Sequence, residues 1–270
     1  MSEPSPYKVY AIKYAENLSY KSADAFLGGD PHNAEIKMDY FVWLISGNGR
    51  NVLVDLGFKK EVAVKRKRDF LRCPTDGIRL LGVDPASIED IVITHLHYDH
   101  AGNLELFPNA KLHVQDREMA FATGRYMANP SFGHGYEAGD VMQMVGRVFG
   151  RKAVFHDGDE DIAPGISVHL IGGHTHGQQA VRVWTERGWV VLASDSSHYY
   201  MNVNKNRPFT WSFHIGEAVD GFRKLRQLAP SLDHIIPGHD PLVMNYYPAP
   251  SKETEGIVAR LDVPPQTGKN

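Results

Sequence analysis

The segment Thr94-His95-Leu96-His97-Tyr98-Asp99-His100-Ala101-Gly102-Asn103 places three histidines and one aspartate within six positions. Imidazole and carboxylate are the donors that suit Zn²⁺ and related first-row divalent metals. In extended backbone, side chains two apart point the same way. His95, His97 and Asp99 can therefore converge, with His100 opening the next turn beside them. Packing four such groups together without a partner ion would be costly. The segment cannot finish two metal sites alone. Further donors stand in loops after strand-like stretches: His174 in Ile171-Gly172-Gly173-His174-Thr175-His176-Gly177, Asp195 after Val190-Val191-Leu192-Ala193-Ser194, and His239 in Ile235-Ile236-Pro237-Gly238-His239-Asp240. Glycines beside such residues let the backbone come close and turn sharply. Taken singly, each is weak, because a lone histidine in a Gly-rich loop is more often packed or exposed than ligating.

The elements that must position these donors follow from periodicity and turn residues. Residues 8–12 are strand-like, and Gly28-Gly29-Asp30-Pro31 reads as a loop. Residues 40–45 and 52–54 flank Gly47-Asn48-Gly49, which predicts a β-hairpin. Residues 59–71 mix apolar and basic residues at helical spacing, and Ile91-Val92-Ile93 predicts a buried strand. Residues 116–125 and 141–149 predict helices. In the second half, residues 168–171, 180–184 and 189–193 read as strands, the last two split by Glu186-Arg187-Gly188. Val219, Phe222, Leu225 and Leu228 recur at spacings of three, an amphipathic helix over 216–228, and residues 234–237 form a last short strand. The tail after Pro248, rich in Pro, Lys and Glu, reads as a surface-hugging or frayed end. Strands alternating with helices predict an α/β architecture. No linker-like composition interrupts the chain, so one domain over residues 1–270 is expected.

Composition narrows the function classes. The chain has 270 residues, 42% apolar and 23% charged, which excludes disordered and collagen-like classes. Lys and Arg number 29 against 32 Asp and Glu, a net charge of −3 that argues against a nucleic-acid partner. The run Lys65-Arg66-Lys67-Arg68 is accordingly read as a solvated helix face. Cys73 is the single cysteine, so no intramolecular disulfide forms, and nothing near it suggests an activated thiolate. The opening Met1-Ser2-Glu3-Pro4-Ser5-Pro6 lacks the basic and apolar regions of a secretory signal. No apolar run approaches the ~20 residues of a membrane span. A cytoplasmic protein with no membrane partner is expected.

Taken in chain order, the H-x-H-x-D-H segment and the later His174, Asp195 and His239 resemble the metallo-β-lactamase-fold superfamily. Val52-Leu53-Val54-Asp55-Leu56-Gly57 matches its early V-D-x-G element. The likeness runs from about Tyr40 to His239. It is nearest the N-acyl-homoserine lactonase group, through the length, the His100-Ala101-Gly102-Asn103 continuation and the Ile-Pro-Gly-His-Asp ending. The resemblance implies an αβ/βα sandwich, two mixed β-sheets flanked by helices. It implies two metals, zinc foremost, with other first-row divalent ions as alternatives. His95, His97 and His174 would hold the first, and Asp99, His100 and His239 the second. Asp195 would bridge them, with a hydroxide as the other bridge. Asp55 would orient the ligand loop by hydrogen bonds, or simply cap a turn. His97 stands where redox di-iron relatives carry glutamate, which favours hydrolysis over oxygen chemistry.

The implied activity is lactone opening by attack of the bridging hydroxide. The expected substrates are N-acyl-homoserine lactones, whose cleavage is quorum quenching, or a related small lactone. Asp99 would carry a proton to the leaving oxygen. The group usually places a tyrosine three residues after the bridging aspartate. Here His198 occupies that position, in Asp195-Ser196-Ser197-His198-Tyr199-Tyr200. His198 is expected to face the site and donate to the substrate carbonyl, with Tyr199 as the alternative if the loop shifts. His176 is expected near the metals without ligating. The segment Arg207-Pro208-Phe209-Thr210-Trp211-Ser212-Phe213 reads as a buried strand face, or else as an aromatic pocket wall. Phe132-Gly133-His134-Gly135 reads as a surface turn, or else as a cap over the pocket. Other hydrolases on the scaffold, acting on an aromatic lactone, ester, thioester or β-lactam, are alternatives, as is a metal-binding module without turnover. The short tail after Pro248 disfavours a thioesterase of the glyoxalase II kind, which carries a C-terminal helical domain. A homodimer is compatible with the sequence, since closed two-fold assemblies are common.

Overall fold

Val52, Leu53 and Val54 belong alternately to two different cores: the valines face one, Leu53 the other. This is the period of a strand buried on both faces. It places residues 52–54 in an inner layer of a computed structural model that describes residues 5–30 and 32–266. Met1-Ser2-Glu3-Pro4 of the chain's opening and Pro31 of the Gly-Asp loop lie outside the described residues.

The strands in chain order are β1 (Lys8–Lys21), β2 (Glu35–Gly47), β3 (Arg50–Val54), β4 (Asp69–Phe70), β5 (Asp90–Val92), β6 (Lys111–Gln115), β7 (Ala153–His156), β8 (Glu160–Ala163), β9 (Ile166–Leu170), β10 (Gln179–Thr185), β11 (Gly188–Ser194), β12 (Ile235–Pro237) and β13 (Val258–Arg260). The helices are α1 (Ser22–Ala25), α2 (Lys60–Arg66), α3 (Pro74–Leu80), α4 (Tyr98–Ala101), α5 (Asp116–Ala122), α6 (Pro130–Gly133), α7 (Ala138–Phe149), α8 (Tyr200–Lys205), α9 (Ile215–Leu228) and α10 (Leu242–Tyr246). One sheet runs β13-β1-β2-β3-β5-β6-β7, with β4 added on β1; the other runs β12-β11-β10-β9-β8. Both sheets are mixed. The first is antiparallel through β13, β1, β2 and β3, then parallel from β3 to β7. The second is antiparallel except for the β11–β12 pair.

The sheets face each other across Val9, Phe41 and Trp43 on one side and Val168, Val181 and Val190 on the other. The outer face of the first sheet packs on Ile78 of α3, Met119 of α5 and Met144 of α7. The outer face of the second packs on Phe222 and Leu225 of α9. The layers are therefore helix, sheet, sheet, helix, the αβ/βα sandwich the resemblance implied. Among the described residues, no helix is long and apolar enough to cross a membrane.

Several sequence expectations need correction. The hairpin about Asn48 forms as expected, but β1 continues past Ile12 to Lys21, paired with β2 through register shifts after Lys13 and Asn17. Those shifts break the two-residue period on which the reading relied. The helix expected over 59–71 stops at Arg66, where Lys67 turns left-handed with φ 54°, and Asp69–Phe70 pairs with β1 instead. Residues 207–213 form no strand. The tail is not frayed: β13 pairs with β1, and Val258, Ala259 and Leu261 are buried. Three apolar residues complete the sheet edge there, too few to outweigh the polar composition around them.

Asp140, in the first turn of α7, is buried. Burial raises its pKa from 3.8 to about 6, only partly countered by Lys59. The charged form therefore costs stability above pH 6, and the cost is relieved as pH falls through 6 toward 3.8. Asp140→Asn is expected to raise the melting temperature near pH 8 and to leave it unchanged at about pH 4. Thermal unfolding followed by circular dichroism at the two pH values checks this.

Candidate metal centre

The loops that follow β5, β9, β11 and β12 emerge on one edge of the sandwich, outside the carboxyl ends of the strands, where open α/β sheets place their ligands. His95 and His97 lie in the loop after β5, and Asp99 and His100 in the first turn of α4. His174 follows β9, Asp195 follows β11 and His239 follows β12. All seven side chains meet. His95, His97, His174 and Asp195 present ligand atoms within 4.8 Å of one another, and Asp99, His100, Asp195 and His239 form a second such group.

Asp195 belongs to both groups, one oxygen turned to each. Its Oδ1 lies 3.2 Å from His100 Nε2 and 3.0 Å from His239 Nε2. Its Oδ2 lies 3.3 Å from His174 Nε2 and 3.7 Å from His95 Nε2. Asp99 Oδ2 closes the first side, 3.5 Å from His100 Nε2 and 3.6 Å from His239 Nε2. The buried atoms His95 Nε2, His100 Nε2 and Asp195 Oδ1 have no hydrogen-bond partner. Buried polar atoms without partners are rare, and several aimed at one another are what a cation would satisfy. The donor set is imidazole and carboxylate throughout, so these residues fit divalent metal ions of the first row.

The outward-facing atoms are held. His100 Nδ1 donates to Asp55 Oδ2 at 2.7 Å, and His239 Nδ1 donates to the Asp39 carbonyl at 2.8 Å. Asp55 also accepts from the Thr94 backbone N–H at 2.7 Å and the Thr94 hydroxyl at 2.8 Å. These bonds fix which ring nitrogen points inward. Asp55 is thus both a support for His100 and the cap of the turn that begins the ligand loop.

The charges are arranged to match. Burial holds the pKa of His95 and His97 well below the usual histidine range, which favours their neutral, metal-ligating form. Burial disfavours charge on His100 too, but Asp195, Asp99 and Asp55 outweigh it and hold its pKa well above that range. Burial would raise the Asp195 pKa, but His198, His239 and His100 hold it well below the carboxylate range. The field at the centre favours positive charge.

Glycines permit this approach at two positions. A Cβ on Gly238 would sit 2.8 Å from Asp195 Oδ1, and one on Gly135 would sit 2.6 Å from His97 Nε2. Gly135→Ala must therefore push the His97 ring aside. Displacing a reacting group by about 1 Å can cost ~10²-fold in rate, and a loss of that order in kcat/KM is expected, with weaker metal retention. Steady-state kinetics and metal analysis of the dialysed variant check it.

The centre floors a cavity of about 680 Å³. His198 lines it, stacked on Phe209 at 3.6 Å between centroids, with Nε2 at 3.1 Å from Asp195 Oδ2. Tyr199 does not reach it, which corrects that alternative. Its ring packs on Phe26 and its hydroxyl donates to the Lys37 carbonyl at 3.1 Å. As N-cap of α8 it is fixed from both ends. His176 packs on Phe213 and Phe121 and joins neither ligand group. Phe209, Trp211 and Phe213 line the cavity, so the aromatic-wall reading of residues 207–213 replaces the strand face. Phe132, His134 and Gly135 line it too, so that segment caps a pocket and is more than a surface turn. Arg66 and Arg68 also face the cavity, so only part of the basic run is a solvated face.

Sequence reasoning missed Glu118. Buried in α5, it accepts from the Leu96 N–H at 2.9 Å and the Tyr136 hydroxyl at 3.0 Å with one oxygen. The other accepts from the Thr175 hydroxyl at 2.6 Å and the Gly177 N–H at 3.1 Å. It ties the His95–His97 loop to the His174 loop. Nothing in its helical context distinguishes it from a solvent-facing glutamate.

The metallo-beta-lactamase superfamily profile matches residues 38–243. An N-acyl homoserine lactonase of Bacillus thuringiensis is 28% identical over 167 residues, which cover 60% of each chain. The match thus spans less than two thirds of that relative's length. A solved quorum-quenching N-acyl homoserine lactone lactonase superposes with a TM-score of 0.74 at 21% identity, covering 89% of this chain and 95% of that one. A second, AidC, a dizinc quorum-quenching lactonase, gives 0.67 at 17% identity, covering 89% and 90%. With its profile match running through every donor loop from Asp55 to His239, the chain belongs to the metallo-beta-lactamase superfamily.

Proposed function

We propose that this chain is a dinuclear zinc hydrolase that opens lactone rings, with N-acyl-homoserine lactones or a related small lactone as substrate. The observation that carries the reading is Asp195, whose two oxygens each face a separate histidine-containing group. The names of the relatives support the substrate class. His95, His97 and His174 would hold one metal, Asp99, His100 and His239 the other, and Asp195 both. Bound there, the two ions supply hydroxide near neutral pH and positive charge against developing oxyanions.

The chain's own residues do the rest. Asp99 belongs to the second ligand group and also lines the cavity, so it would take up the proton that the attacking hydroxide gives up and pass it to the leaving oxygen. His198 is neutral at physiological pH, because burial pushes it down to about 4 against the pull of Asp195. A neutral imidazole carries a single N–H, which a substrate carbonyl would share with Asp195 Oδ2, 3.1 Å from Nε2, and stacking on Phe209 holds the ring in place. The single cysteine fits a reducing compartment, the cytoplasm.

The test is acid release from a homoserine lactone, an aromatic lactone, a thioester and a β-lactam by the zinc-loaded enzyme. One of the lactones should give the highest kcat/KM, and His198→Phe should lower its kcat by about 10²-fold, the usual cost of one oxyanion donor. A thioester or β-lactam turned over faster than either lactone would refute the assignment.

A further inference from the structure

Arg68 is a charged cavity-lining side chain that the hydrolytic reading leaves without a task. Its neighbour Arg66 is already paired with a carboxylate. Arg66 Nη2 and Nε donate to Glu137 Oε1 at 2.8 and 3.0 Å, Nη2 donates to the His134 carbonyl at 2.9 Å, and the guanidinium lies 3.8 Å above the Tyr98 ring. Arg68 differs. Its Nη1 donates to the Arg66 carbonyl at 2.9 Å, and its Nε sits 3.4 Å from the Tyr98 hydroxyl. Among the described residues, no carboxylate lies within ion-pair distance of it and Nη2 has no protein partner. The acid that bears on its charge is Asp99, at longer range, and Asp99 is already committed to the ligand groups.

A second group on the same wall is also unspent. Tyr20 lines the cavity and stacks on Phe209, with 6.2 Å between ring centroids. Its hydroxyl is buried without a hydrogen-bond partner. Burial raises the Tyr20 pKa, so the hydroxyl stays a donor, and Arg68 is close enough to oppose that rise. A buried phenol with a free donor is costly unless something enters to accept from it, and the half-buried Arg68 adds a guanidinium whose Nη2 has no protein acceptor. The guanidinium fork matches a carboxylate in plane and spacing, which favours that acceptor over a neutral carbonyl.

We propose that Arg68 and the Tyr20 hydroxyl form an anion-receiving subsite of the cavity, and that the substrate is a lactone carrying a carboxylate away from its ring. This rests on the lactonase reading above and narrows its substrate class. The aromatic wall of Phe209, Trp211 and Phe213 takes the body of the molecule while Arg68 takes its charged end. A neutral acyl chain would leave Arg68 unmatched.

The experiment uses the zinc-loaded enzyme with phthalide-5-carboxylate and phthalide-5-carboxamide, which differ in the charge of one substituent. Wild type is expected to prefer the carboxylate by about 10- to 100-fold in kcat/KM, the worth of a hydrogen bond to a charged group. The preference should reside in KM. It should collapse toward unity in Arg68→Gln and survive in part in Arg68→Lys. An equal loss on both substrates in Arg68→Gln would make Arg68 a merely structural residue and overturn the proposal. So would a wild-type enzyme that favours the carboxamide. Binding of 2-naphthalenesulfonate, an aromatic anion that ligates metals poorly, is measured by calorimetry on the same proteins. If neither phthalide is opened, this arm decides alone. Binding at least ten-fold tighter to wild type than to Arg68→Gln upholds the anion subsite whatever the fate of the lactonase reading, which the separate substrate panel decides, and equal binding rejects the subsite.

Discussion

Asp195→Ala is expected to reduce kcat/KM on a lactone by about three orders of magnitude, because it removes the one residue shared by both ligand groups. The size follows from the geometry. Every other candidate ligand serves a single group, so its loss leaves the opposite group intact. Without Asp195, the Nε2 atoms of His100 and His239 lose the carboxylate oxygen that faces them at 3.2 and 3.0 Å, and His174 loses its own at 3.3 Å. The remaining histidines, crowded and buried, then repel one another whenever protonated. Metal content of the purified variant should fall along with activity. Steady-state kinetics paired with metal analysis provides the check. Acid release that persists at the wild-type rate would detach the activity from this centre.

The second large effect belongs to a residue that touches no proposed metal. Asp55 is fully buried and accepts four hydrogen bonds, from the Thr94 backbone, the Thr94 hydroxyl, His100 Nδ1 and, at 3.5 Å, the Ser194 hydroxyl. Its own φ is 62°, a left-handed conformation that few residues other than glycine, asparagine and aspartate adopt readily. Asp55→Ala leaves the Thr94 backbone N–H and His100 Nδ1 without their acceptor, while the Thr94 hydroxyl keeps Ser194 Oγ at 2.9 Å. Removing one member of a buried charged pair typically costs about 3–5 kcal/mol. Losing the support behind a metal-bound histidine typically costs 10–100-fold in metal affinity, roughly. Both losses are expected together, as a lower urea midpoint and a weaker zinc affinity. Asp55→Asn keeps the shape and part of the bonding, and should fall between. A variant with wild-type stability and affinity would show that Asp55 only caps its turn.

These two residues also mark how far the sequence could be read. The donors were legible because each stands at the end of an apolar strand signal, and because glycines at 173 and 238 announce close approach of the backbone. The hairpin at Asn48 and the helix over Ile215–Leu228 were legible from turn chemistry and spacing. What failed was signal that local pattern does not carry. The edge strand Val258–Arg260 rests on three residues whose burial depends on β1, far away in sequence. The aromatics at 209, 211 and 213 alternate as a strand would, yet lie on a loop, because period two reports facing and not pairing. Position favoured His198 over Tyr199, but the capping of α8 that turns Tyr199 away from the cavity is not legible in the local pattern. Glu118 and Arg68 look like ordinary surface charges until the chain folds over them.

Anomalous X-ray scattering at the zinc edge, from crystals grown with zinc, addresses the dinuclear centre without reference to any substrate. Two peaks are expected, one among His95, His97 and His174 and the other among Asp99, His100 and His239, with Asp195 between them. A single peak placed away from Asp195, or none, would contradict the dinuclear site and the hydrolysis assigned to it.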